Sequence, residues 1–183
     1  MEDKKILIKI ARDAIAQKLE NRVIIDRDQL TTLHPWLKEE GAVFVTINKR
    51  AKLRGCIGSL EAHRDILEDT ISNALSAAFH DPRFTPLTKE EFGEIEIEIS
   101  ILTQPKLIHY NDITQLKKIV RPHIDGVVLH YGNRRATFLP LVWESLPHFD
   151  AFFSHLCQKA GLSVDCLKHH PQIYLYQAQK IVE

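Results

Sequence analysis

The 183-residue chain is short of several things, and each shortage removes a class of protein. It has three cysteines, Cys56, Cys157 and Cys166. The count is odd and no two stand in a Cys-x-x-Cys spacing, so neither a disulfide framework nor a zinc ribbon is indicated, and a reducing, cytoplasmic setting is expected. It has no net charge, with 24 basic against 24 acidic side chains. The whole molecule therefore lacks electrostatic reach toward nucleic acid or anionic lipid. It also has no long hydrophobic run. The longest, Phe138 to Trp143, is interrupted by Pro140, against the roughly 18 apolar residues of a membrane helix. Met1 to Lys5 leads straight into a helical pattern and does not read as a signal peptide. Neither a nucleic-acid nor a membrane partner is expected.

What is present suits one domain, 1–183, with two lobes as the alternative. The chain is 44% apolar and 26% charged, and at its length it buries roughly 70% of its unfolded surface without a staple. Ile6, Ile10, Ala14, Ile15 and Leu19 recur at helical spacing and predict an N-terminal helix from Asp3 to Glu20. Asn21 to Glu40 reads as a connector with one short helical turn, broken at His34-Pro35. Val43, Val45 and Ile47 alternate with Phe44, Thr46 and Asn48 and predict a strand. The run Asn48 to Lys52 turns into a second strand, Leu53 to Leu60. Asp65 caps a helix whose apolar stripe is Leu67, Ile71, Ala74, Leu75 and Ala78, and Asp81-Pro82 ends it. Glu94 to Leu102 is the clearest strand, with four isoleucines on one side and glutamates on the other.

The second half repeats the order. Asn111 or Asp112 caps a helix to Val120, Gly126 to Tyr131 and Arg135 to Leu139 form a hairpin about Gly132-Asn133, and Asp150 to Ala160 is a helix stopped by Gly161. Ile173 to Ala178 closes as a strand. Residues 41–53 also lie over 126–138 without a gap, matching at Gly41/Gly126, Val43/Val128, Asn48/Asn133, Arg50/Arg135 and Ala51/Ala136. The expectation is an α+β fold of duplicated strand-strand-helix-strand units, approximately 41–102 and 126–178, around a curved, mostly antiparallel sheet. Convergent turn chemistry in two hairpins is the alternative source of the matching letters.

The halves differ just past the hairpin. The second reads Leu139-Pro140-Leu141-Val142-Trp143, like a strand leaving for the core. The first reads Arg54-Gly55-Cys56-Ile57-Gly58, with a charge, a thiol and two glycines in the same place. Glycines weaken a strand and mark a bulge or a close backbone approach. In a regular strand Arg54, Cys56 and Gly58 share one side, leaving Leu53 and Ile57 to seal the core. At about 6.5–7 Å along a strand, the guanidinium favours a thiolate strongly only within a partly closed cleft. A small buried cysteine in a tight strand is the bland alternative.

Asp81 and Arg83 either pair locally or reach a ligand, while His80 reads as the end of a helix sooner than as a base for Cys56. The Glu94, Glu96 and Glu98 ladder reads as the wet side of a sheet, and Lys49, Arg50 and Lys52 as a solvated hairpin tip. His169-His170 lacks a spaced ligand partner, and Cys157 reads as core packing. Phosphate loops, dinucleotide fingerprints and nucleophile elbows are absent, so no metal and no cofactor is expected.

Leu53-Arg54-Gly55-Cys56-Ile57-Gly58 resembles the signature of the AMMECR-type domain family, known in prokaryotes as protein A of the AmmeMemoRadiSam system. Residues 81–86, 96–102, 125–127, 136–140 and 159–162 are similar to the same family in the same order, so the resemblance spans nearly the whole chain. It implies an α+β fold of duplicated strand–helix units and an intracellular domain. It also implies two partners, a Memo-type protein and a radical SAM enzyme, and it brings no established reaction. In one respect the chain departs: family members carry Gln or Glu after Phe-Leu-Pro, where Leu141 stands here. Two functions follow as expectations. One is an accessory or binding component using Arg54, Gly55, Gly58, Asp81 and Arg83. The other is a small-molecule enzyme, with Cys56 as nucleophile or redox thiol and a small anionic or carbonyl ligand.

Overall fold

A computed structural model describes residues 2–183. The chain divides into two compact units, one of residues up to Leu102 together with Gln179–Glu183, the other of Thr103–Ala178. The class is α+β with an N-terminal helix and antiparallel strand pairing throughout the registered pairs.

In the first unit, α1 (Ile6–Glu20) turns Leu7, Ile10, Ala14 and Ile15 inward. The connector holds more structure than the sequence suggests: α2 (Arg27–Leu33), capped by the Asp26 side chain on the Gln29 N–H, and a 3-10 turn at Pro35–Lys38. β1 (Ala42–Lys49) lies between β2 (Lys52–Gly58) and β3 (Ile95–Leu102). α3 (Ile66–Phe79) packs against β1, with the Asp65 side chain accepting the Glu68 N–H at 2.7 Å. Two of its polar side chains are buried to hold that strand: Asp69 accepts the Val43 N–H at 2.7 Å, and Asn73 donates to the Val43 carbonyl at 2.9 Å. A four-residue helix, α4 (Lys89–Phe92), follows, set by a Thr88–Glu91 capping box. The period-two reading of β3 holds, with Ile95, Ile97, Ile99 and Ile101 all buried in the core.

The second unit places β7 (Gln172–Val182), as far as Ala178, between β5 (Asp125–Tyr131) and the short β4 (Lys106–Ile108). β6 (Arg134–Phe138) pairs with β5, and α5 (Ile113–Ile119) and α6 (Phe149–Lys159) complete the unit. Its core is aromatic. The Trp143 ring stacks on Phe152 at 3.6 Å, and its indole N–H donates to the Asp125 carbonyl at 2.8 Å.

Four expectations are corrected. Leu139 to Trp143 is not a strand: Pro140–Glu144 forms a 3-10 turn, because proline cannot donate into a ladder, and Leu141 is exposed. Leu53 does not seal the core and is likewise exposed. The two hairpin tips, Arg50-Ala51 and Gly132-Asn133, stand 82 residues apart while the letters match at an offset of 85, so the matching letters do not superpose the turns. Finally, Cys157 and Cys166 are joined in a disulfide. The end of α6 and the 3-10 turn at Cys166–His169 bring their Cα atoms to 5.9 Å, a proximity that residue spacing along the chain did not reveal.

Candidate functional site

The site grows from an irregularity in β2. Ile47 pairs with Gly55 but Asn48 pairs with Leu53, so Arg54 is the extra residue of a β-bulge. The bulge undoes the regular alternation that would seat Leu53 in the core. Gly55 follows because α3 presses on the strand there: a Cβ at Gly55 would stand 2.1 Å from the Ala77 carbonyl oxygen. A Cβ at Gly58 would meet the Phe44 ring at 2.2 Å. Both glycines are thus accounted for by packing within the first unit.

Beyond the bulge, β2 is an edge strand within its unit, and Cys56 presents its backbone outward. Two side chains from the loop after α3 complete it. The Asp81 carboxylate accepts the Cys56 N–H at 2.9 Å, and the Arg83 Nη2 donates to the Cys56 carbonyl at 3.2 Å. Asp81 also accepts the Arg83 backbone N–H at 3.1 Å and its Nε and Nη2 at 2.9 and 2.7 Å. Side chains here replace a neighbouring strand, closing an edge that would otherwise template pairing with another chain. The Arg83 bonds hold the buried Asp81 carboxyl well below the usual carboxylate range, helped by the Cys56 and Arg83 backbone N–H groups, and Asp81 in turn raises Arg83.

The thiol sits half-buried, its sulfur 3.3 Å from the Thr46 hydroxyl across the strand pair. Thus Cys56, Asp81 and Arg83 are brought together as the sequence suggests. Arg54 is nearby but otherwise engaged. Its Nε and Nη2 form a fork on Glu91 at 3.1 and 2.8 Å, and Lys49 Nζ bonds the same carboxylate at 3.1 Å. These bonds, Arg54 first, pull the Glu91 carboxyl down to about 2 despite its partial burial. The Phe84 ring lies against both guanidiniums, 5.8 Å from that of Arg54 and 5.5 Å from that of Arg83.

Glu91 and Thr46 are the participants that the sequence reading missed, while Lys49 reads there as a solvated tip and Phe84 is given no role. The Thr88-x-x-Glu91 spacing was the available signal, since a capping box fixes where Glu91 stands. The basic tip is not simply solvated: Lys49 bonds Glu91 and Arg50 bonds Glu94. His80 is the exposed C-cap of α3. His170 stacks on Tyr110 at 5.6 Å, and Glu98 pairs with Lys180. Among the described residues no group of three or more His, Cys, Asp or Glu is placed to hold a metal ion. Cavities of about 520, 330 and 260 Å³ open beside Val23–Asp28, Tyr110 and Glu96 respectively, and none of these three is lined by Cys56.

The sequence profile of the AMMECR1 family matches residues 8–181. The chain belongs to the AMMECR1 family. A solved chain shares the fold. The crystal structure of the uncharacterized protein PH0010 from Pyrococcus horikoshii matches with a TM-score of 0.77 at 31% identity, covering 96% of this chain and 89% of that one. A protein from Thermofilum pendens is 36% identical over 198 residues, covering all of this chain and 90% of its own length. One from Sulfolobus acidocaldarius is 40% identical over 172 residues, covering 88% of this chain and 73% of its own. No helix of the described residues is long and apolar enough to cross a membrane.

Proposed function

We propose that this AMMECR1-family chain is a cytoplasmic binding component that acts with a Memo-type protein and a radical SAM enzyme, the partners implied by its resemblance to protein A of the AmmeMemoRadiSam system. Its working surface is the outer side of β2 at Arg54 and Cys56, with Asp81, Arg83 and Phe84. The observation that carries this reading is the clamp on Cys56. Both backbone polar groups of the residue are fixed by Asp81 and Arg83, while the sulfur is met by a neutral hydroxyl. A nucleophilic cysteine needs an adjacent base or an activating charge aimed at the sulfur. Here the Arg83 guanidinium is spent on Asp81 and the Cys56 carbonyl. The arrangement suits a rigid, presented surface better than a reacting thiol.

A cytoplasmic setting is compatible with the Cys157–Cys166 bond, because both residues are buried and thiol–disulfide exchange requires access to the sulfur.

Affinity capture of the two partners by the full chain tests the proposal. Wild type and Cys56→Ala should capture them alike, and Arg83→Glu should lose them. Gly58 is unsuited as a probe because any side chain there meets Phe44. Capture by neither wild type nor Cys56→Ala overturns the reading.

The partly exposed thiol, with the Arg83 guanidinium bonded to the carbonyl of the same residue, favours a second reading, in which Cys56 is the nucleophile or redox thiol of a small-molecule enzyme. Iodoacetamide labelling across pH separates the two. Labelling at the rate of an ordinary free thiol supports the binding surface, and strong labelling near neutrality supports the enzyme.

A further inference from the structure

Resting on the binding reading above, the geometry points to a carboxylate-binding site at Nη1 of Arg54, filled by a small carboxylic acid or a carboxylate of a partner. Two independent observations carry it.

The first is a charge count. Lys49 and Arg54 share the single Glu91 carboxylate, Arg50 is taken by Glu94 and Arg83 by Asp81. One positive charge is left unbalanced where the Lys49, Arg54 and Glu91 side chains are only 28, 11 and 21% exposed. Arg54, the least exposed of the three, shares its counter-ion with Lys49, and a cation largely withdrawn from water favours an anion beside it.

The second is an unfilled donor. Nη1 of Arg54 is buried without a hydrogen-bond partner among the described residues. Leaving such a donor unmet is costly, and the cost is higher for a charged group. A guanidinium has two edges suited to a carboxylate. Glu91 occupies the Nε/Nη2 edge, and the Nη1/Nη2 edge accepts a second carboxylate in the same forked geometry. The charge excess is one, so a singly charged carboxylate balances the site, whereas a doubly charged phosphate overshoots. The Phe84 ring, 5.8 Å from this guanidinium and 5.5 Å from that of Arg83, is the apolar neighbour such a carboxylate would meet.

Titrating the full-length chain with sodium acetate at constant ionic strength, while following arginine side-chain resonances by NMR, tests the site. The expected result is a saturable shift of the Arg54 signals in the millimolar range, with inorganic phosphate binding no more tightly. Arg54→Gln should abolish saturable binding. Glu91→Gln should bind acetate about tenfold more tightly, the equivalent of one charged competitor removed. The absence of a saturable Arg54 response in wild type, or tighter binding of phosphate than of acetate, overturns the inference. Partner capture with no acetate site would sink this inference alone, whereas an acetate site with no partner capture would sink the binding-component reading alone.

Discussion

Asp81 with Arg83 in the first unit and Asp125 with Arg121 in the second are built from the same parts. The aspartate side chains are 1 and 2% exposed, the arginines 53 and 55%. In each pair the aspartate accepts a backbone N–H and a two-pronged guanidinium from its arginine. Both carboxyls are held below their ordinary range; for Asp125 the Arg121 bonds outweigh the burial that pushes the other way. The destinations differ. Arg121 and Asp125 close a loop four residues apart, with one long bond from the Gln177 side chain at 3.4 Å, whereas Asp81 and Arg83 grip both backbone polar groups of Cys56, 25 and 27 residues away in sequence. One pair mainly shapes its own turn, and the other fixes the backbone of a different element. A local pair needs no functional explanation; a pair that holds a partly buried thiol on a strand edge invites one.

The largest expected effect tests how tightly that edge is packed. Gly55→Ala sets a methyl against the unyielding Ala77 carbonyl, and should cost about 3 kcal/mol in urea melts. Gly126→Ala in the second unit meets the Tyr176 ring instead, which is buried and held through its hydroxyl to Thr137 and the Phe138 carbonyl, and should cost somewhat less because a side chain yields more readily than backbone. Equal losses would show that the two close approaches are equivalent. Next in size, reducing the Cys157–Cys166 bond, which joins residues nine apart in sequence, should lower stability by about 2.5 kcal/mol. Thermal unfolding with and without reductant measures it, and intact-mass thiol counting should find one free thiol, Cys56.

Breaking the clamp itself comes third. Asp81→Asn removes the charge that gathers Arg83, and should cost about 2 kcal/mol, discounted because Arg83 is half-exposed. It should also change the acid response. A carboxyl with a depressed folded pKa contributes stability that is present above its unfolded value and lost as pH falls through the folded one. Wild type should therefore weaken steadily below about pH 4, and Asp81→Asn should weaken less over that span. Freed of its plug, the β2 edge should also self-associate, visible as larger species in gel filtration. The smallest effect is a gain. Arg50 and Ala51 both have positive φ, 52° and 59°, so Ala51→Gly should stabilise the hairpin by about 1 kcal/mol.

Most of the fold was legible because it rests on local periodicity. The β3 isoleucines, the Asp65 and Asp112 caps and the Gly161 stop each declare themselves within a few residues. The candidate site was legible in part. Cys56, Asp81 and Arg83 were chosen for the oddity of their chemistry, and they do meet. What escaped depends on contacts between distant residues. The bulge at Arg54 becomes visible only when β1 is laid beside β2, Glu91 reaches Arg54 across 37 positions, and the Cys157–Cys166 pairing needs the turn at Gly161 to be folded. The glycines misled in an instructive way, since Ala77 and Phe44 supply the packing reason that strand propensity alone could not.

The account holds that this surface works through its shape and charge, with the sulfur as a bystander. Complementation of a strain lacking this chain by Cys56→Ala measures that most directly. Wild-type function from the alanine variant, alongside loss of function in Arg83→Glu, is the predicted result. A folded, normally abundant Cys56→Ala protein that fails to complement would contradict it.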